Sequence, residues 1–142
     1  MRNAARVVGV GMVPFATPRT SPTYENLARG AVMAALADAG VDYERLQQAY
    51  VGYVYGDSTS GQFALYGIGR SGIPVVNVNN NCSTGSSALM LARQPFESGD
   101  ADCVLAVVFD QLHHAALVAQ WSDRPHRLSE VLTTSPDLQV KQ

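Results

Sequence analysis

The sequence predicts an α/β fold: a layered domain with a mainly parallel sheet and helices on its faces. Two observations carry that prediction. Short β-branched runs alternate with longer stretches of helical period, the pattern of strands joined by crossover connections. The run beginning at Val75 opens on unbroken apolar residues, as a strand buried on both faces does, and Cys103–Phe109 is more apolar still.

The elements follow in order. Arg6–Met12 is β-branched and glycine-rich and is expected to form the first strand, followed by a loop punctuated by Pro14, Pro18 and Pro22. Ser21-Pro22 suits a cap with proline at the first helical position. Tyr24, Leu27, Ala28, Ala31, Ala34 and Ala35 then share one helical face, and Gly40 stands where a helix stops. Ala49–Tyr55 reads as a second strand and Gly56–Gly61 as a polar loop, with a short helix over Gln62–Ile68. The third strand is Val75–Asn79. The next helix is expected over Ser86–Arg93, ending early or kinking at Pro95, because a proline inside a helix costs about 3 kcal/mol. Cys103–Phe109 is the fourth strand, and Leu112–Val118 a weak helical candidate. Residues 1–124 are read as the domain, and 125–142, polar and carrying Pro125 and Pro136, as a divergent tail and a candidate for disorder.

Composition narrows the function classes. Of the 142 residues, 46% are hydrophobic and 15% charged, which places the chain among globular domains. The formal net charge of −2 is distributed without a basic stripe, which argues against nucleic acid as a partner. No apolar run approaches the roughly 18 residues of a membrane span, and the glycine-broken start makes a poor signal peptide, so the default expectation is a cytoplasmic protein. The adjacent His113 and His114 point different ways and no ligand spacing frames them, so no metal is expected. Cys82 and Cys103 lie far apart, without a pairing pattern.

Chemistry concentrates at Asn79-Asn80-Asn81-Cys82-Ser83-Thr84-Gly85-Ser86-Ser87. Here a buried strand passes through a tight polar turn into a helix. A thiol near a helix N-terminus sees free backbone N–H groups and the positive end of the dipole, which favour thiolate over thiol and make a nucleophile. The Cys82 backbone N–H would be placed to donate to the oxygen of a bound thioester. Gly85 and the small residues around it leave room for a substrate or another backbone, and the asparagines suit a sharp turn. Read from the residues alone, a serine-capped helix with an incidental cysteine stays open beside the nucleophile.

Val51-Gly52-Tyr53-Val54-Tyr55-Gly56-Asp57-Ser58-Thr59, Gly61-Gln62, Gly72-Ile73-Pro74 and Asn77 through Ser86 resemble the sterol carrier protein X branch of the thiolase family. Val8–Met12, Leu91–Gln94, Cys103–Ala106 and Ser122-Asp123-Arg124 extend the likeness in the same order, over roughly residues 5 to 124. The resemblance implies a thiolase-like layered fold, of which this sequence carries an incomplete N-terminal half, without the fifth strand and CoA-binding excursion. It implies that Cys82 takes the acyl group of a 3-ketoacyl-CoA as a thioester; carbon–carbon cleavage releases a shortened acyl-CoA, and a second CoA accepts the acyl group. Coenzyme A is then a cosubstrate and no cofactor is expected to stay bound. Family members dimerise through the strand before the nucleophile, which makes Val75–Asn79 a candidate seam for a homo- or hetero-oligomer.

The family's proton-transfer groups, a histidine in an Asn/Gly-rich loop and a cysteine in a His-Asp-Cys-Phe-type motif, have no counterpart here. His113, His114 and His126 stand in other contexts, and Cys103 belongs to a structural strand. Three readings therefore stay open: an acyltransferase that works with a partner or as part of a longer thiolase, a non-catalytic thiolase-like protein of lipid transfer or assembly, and a relative of steroid side-chain aldolases. Whether the chain by itself is an enzyme is not settled by its sequence.

Overall fold

The computed structural model describes residues 4–112, 121–125 and 129–134. Its centre is a three-stranded parallel sheet, β1 (Gln48–Gly52), β2 (Val75–Val78) and β3 (Val104–Val108), in the order β2-β1-β3. Ala49 pairs with Val75 and Gly52 with Val78 on one side of β1; Gln48 pairs with Val104 and Gly52 with Val108 on the other. Parallel neighbours require crossovers, and two helices supply them: α2 (Ser60–Tyr66) between β1 and β2, and α3 (Thr84–Ser98) between β2 and β3. The chain steps outward from β1 to β2, then back across β1 to β3. With connections of one hand, that reversal puts α2 and α3 on opposite faces of the sheet.

The first helix, α1 (Tyr24–Ala39), joins α2 on one face. It ends as expected at Gly40, which takes the left-handed conformation at φ 63°. Thr23 rather than Ser21 precedes its first turn. Its buried stripe is Ala28, Val32 and Leu36, rotated from the alanine-rich face expected from sequence, with Ala34 exposed. The larger β-branched and leucine side chains bury more apolar surface, and they decide the rotation. They pack against Ala49, Val51, Leu105, Val107 and Phe109 on one face of the sheet, with Ala64 and Leu65 of α2. Tyr24 stacks on Phe109 with ring centroids 5.1 Å apart, and Phe109 on Tyr53 at 5.4 Å.

Two expected elements are corrected. Arg6–Met12 is extended but belongs to no sheet: it lies on α1, where a side chain at Gly9 or Gly11 would collide with the carbonyl of Ala35 or Ala31. The Val10 N–H donates to Asp38 Oδ2 at 2.9 Å. A strand needs a neighbouring edge for its N–H and C=O groups, and no strand lies beside this segment among the described residues.

The helix expected to stop or kink at Pro95 runs on to Ser98. Pro95 removes one helical hydrogen bond, but its ring is buried and extends the stripe of Ala88 and Ala92. The carbonyl of Pro95 accepts from the N–H groups of Asp100 and Ala101 and from Ser98 Oγ, so the last turn is well satisfied.

Smaller differences are of boundary. The second strand ends at Gly52, the third at Val78, and α2 starts at Ser60, two residues before the expected helix. Within 125–142, Ser129–Thr134 forms a short helix, α4. Leu112 is not helical, and the rest of the helical candidate at Leu112–Val118 lies outside the described residues, as do His113, His114 and His126. In Ser122-Asp123-Arg124, the Arg124 guanidinium bonds Asp123 at 2.9 Å, holding that carboxyl below the usual range, and lies 4.7 Å from the centre of the Trp121 ring. No helix of the described residues is long and apolar enough to cross a membrane.

Candidate functional site

The carboxyl ends of β1, β2 and β3 lie at the same edge of the sheet, because all three strands are parallel. Ligands of open parallel sheets gather at that edge, near the point where the chain reverses its direction of travel. Cys82 lies at that same carboxyl end, one strand away from the reversal between β1 and β3, on the turn that carries the outer strand β2 into α3, and it is exposed. Cys103 precedes β3 at the opposite end of the sheet, half-buried, with its N–H donating to Gln47 Oε1 at 3.1 Å. The parallel topology thus keeps the two thiols apart. Among the described residues there is no group of three or more His, Cys, Asp and Glu side chains arranged to hold a metal ion.

The turn is short and heavily bonded. Asn81 adopts a left-handed conformation at φ 49°, which asparagine tolerates better than most residues. Its N–H donates to Asn79 Oδ1 at 3.1 Å, an asparagine turn of the kind expected from the run of three. The N–H groups of Ser83 and Thr84 donate to the carbonyls of Asn80 and Asn81, each at 3.0 Å. Asn80 Nδ2 reaches Ser87 Oγ in the first turn of α3 at 2.8 Å. Ser83, preceding the helix, makes no side-chain cap. The helix start is held instead by Thr84, whose hydroxyl accepts from the Asn80 N–H at 2.9 Å and donates to the Asn81 carbonyl at 2.7 Å.

The close approach of helix to sheet is made at Gly52 rather than at Gly85. A methyl at Gly85 would meet Val108 at 3.7 Å, an ordinary contact. A methyl at Gly52, the last residue of the central strand, would collide with Val108 and come within 2.6 Å of Thr84 Cγ2. Gly52 therefore lets the start of α3 settle onto the sheet. A glycine inside a strand often marks such an approach, and that was the available sequence signal. Asp110 carries no local sequence signal: its Oδ1 accepts from the N–H groups of Val54 and Tyr55, at 2.9 and 3.0 Å, and ties the exits of β1 and β3 together beside the site. On β2, Asn77 Oδ1 accepts from the Gly61 N–H at 2.9 Å and Nδ2 donates to Gln62 Oε1 at 2.7 Å, fastening α2 to the outer strand.

This arrangement fits what is found in known proteins. The family described as "Thiolase, N-terminal domain" matches residues 5–134. Sterol carrier protein 2 of Gallus gallus is 52% identical over 134 residues, which are 93% of this chain and 24% of that protein. A benzoylsuccinyl-CoA thiolase subunit of Thauera aromatica is 30% identical over 129 residues, 89% of this chain and 32% of that one. Among solved structures, the priming β-ketosynthase of the R1128 polyketide pathway superposes with a TM-score of 0.67 at 19% identity, over 78% of this chain and 42% of its own, a likeness of fold alone. The chain spans about a quarter of the length of the sterol carrier proteins it matches. With its parallel sheet, its strand–turn–helix at Cys82 and a family match over nearly all its length, the chain belongs to the thiolase family, as an N-terminal domain similar to that of sterol carrier protein 2.

Proposed function

We propose that this chain is the nucleophile-bearing part of a thiolase-type acyltransferase, with Cys82 as its catalytic residue. The observation that carries the reading is the exposed thiol on the turn from a parallel strand into a helix, within a chain belonging to the thiolase family. In the proposed step the Cys82 thiolate attacks carbon 3 of a 3-ketoacyl-CoA, and the developing oxyanion takes a hydrogen bond from the Cys82 N–H. The bond between carbons 2 and 3 breaks, its electron pair stays on carbon 2, and protonation there releases the shorter acyl-CoA. A second CoA thiolate then takes the acyl group from Cys82. The base for the thiol and the acid for carbon 2 are assigned to another segment or a partner chain, because the family's histidine and second-cysteine motifs are missing from these residues. The outer edge of β2, which has no neighbouring strand among the described residues, is the proposed seam for that partner or for a second copy.

The test compares each thiol with itself. Iodoacetamide labelling near pH 7, resolved by peptide mass spectrometry, is expected to modify Cys82 faster in the folded chain than in the urea-unfolded chain. Cys103 should be slower when folded. A folded rate for Cys82 at or below the unfolded rate would rule out an activated nucleophile. A second reading, lipid carriage without catalysis, draws on the name of the sterol carrier relatives. It predicts no such advantage, and lipid binding that survives Cys82→Ala.

A further inference from the structure

We infer that Thr84 is the positioning residue for Cys82, its hydroxyl holding the turn on which the thiol stands and its methyl setting that turn against the central strand. The inference rests on the reading of Cys82 as the nucleophile and adds a residue to it. Thr84 is only 4% exposed, one of two buried polar side chains among the described residues. Its Oγ1 is used in both directions: it accepts from the N–H of Asn80 and donates to the carbonyl of Asn81, so one atom links the two residues that lead into Cys82. Its Cγ2 lies over Gly52, where even a methyl group on the strand would come within 2.6 Å. The strand thus fixes Thr84, and Thr84 fixes the turn.

The turn's other side-chain bonds, Asn81 N–H to Asn79 and Asn80 to Ser87, are exposed. Water competes with exposed bonds more than with part-buried ones such as the Thr84 pair, so that pair contributes more to the shape of the turn than either exposed bond. That shape includes Asn81 in a left-handed conformation, which asparagine visits more readily than most residues but which the turn's bonds hold in place here. Released from Thr84, Asn81 relaxes toward the right-handed or extended regions, and Cys82, the next residue, turns with it.

Three variants separate the hydroxyl from the methyl: Thr84→Ser keeps the first, Thr84→Val keeps the shape without it, and Thr84→Ala removes both. The readout is the pH profile of Cys82 alkylation in the full chain, with Cys103 as internal reference and a thermal melt for each variant. Thr84→Ser, which keeps the hydroxyl and loses the methyl over Gly52, is expected to slow Cys82 labelling clearly less than Thr84→Val. Thr84→Val, which loses both bonds of Oγ1, is expected to slow Cys82 labelling near pH 7 by about tenfold, while Cys103 is unchanged. If valine does not fold, Thr84→Ala removes the same hydroxyl in a smaller side chain. A parent-like profile in the valine or alanine variant would overturn the proposal, as would a serine variant as slow as valine. If Cys82 of the parent chain shows no advantage over the unfolded chain, the nucleophile itself is refuted, before any variant is made.

Discussion

In Val75–Cys82, residues Val75 to Val78 are paired one by one with β1, whereas Arg6–Met12, equally rich in valine, runs extended along α1 with no strand at its side among the described residues. The first segment ends in a bonded turn and a helix laid on the sheet. The second leaves Val8, Val10 and Met12 exposed, and Met12 borders an apolar cavity of about 420 Å³ together with Leu27, Val108 and Phe109. Both show the composition of a strand. The difference is that β1 offers an edge to β2, while α1 offers only a groove between helical backbone turns, into which glycines fit and larger residues do not. Strand composition therefore describes how side chains alternate, and strand structure depends on who supplies the hydrogen bonds.

The contrast can be broken by substitution, starting with the largest effect. Gly52→Val drives two methyls into Thr84 and Val108, so it should cost about 3 kcal/mol in urea melts and abolish the labelling advantage of Cys82. Gly11→Ala meets the backbone of α1, which cannot give way, and should cost about 2 kcal/mol. Its effect is expected to stay local: faster proteolysis within residues 6–12, with Cys82 labelling unchanged. If Gly11→Ala also slowed Cys82, the N-terminal segment would be coupled to the site as closely as β2 is. Asp38→Asn weakens the bond to the Val10 N–H on an exposed surface, and a loss of about 0.5 kcal/mol is expected by the same melt.

Much of the site was legible because its cues are local. Three asparagines, a cysteine and small residues between an apolar strand and a helical stretch announce a strand–turn–helix, and Cys82 is where that pattern predicts. Gly40 closes α1 for an equally local reason, since only glycine takes the left-handed stop without strain. In the sequence Thr84 shows only as a small residue, because its role depends on Gly52, 32 positions away in the chain. Pro95 has the local character of a breaker, while the burial of its ring on the inner stripe of α3 depends on tertiary packing.

What the sequence by itself determined is the alternation of elements, the α/β class, the family and the strand–turn–helix on which Cys82 stands. These follow from side-chain type and spacing over a few residues. What only the tertiary structure decided is which extended segment is paired, which face of α1 is buried, how far α3 runs, and which side chain steadies the turn at Cys82. Each of these is a choice between partners distant in sequence, settled by packing volume and by where backbone hydrogen bonds find acceptors, and neither is written in any one stretch of the chain.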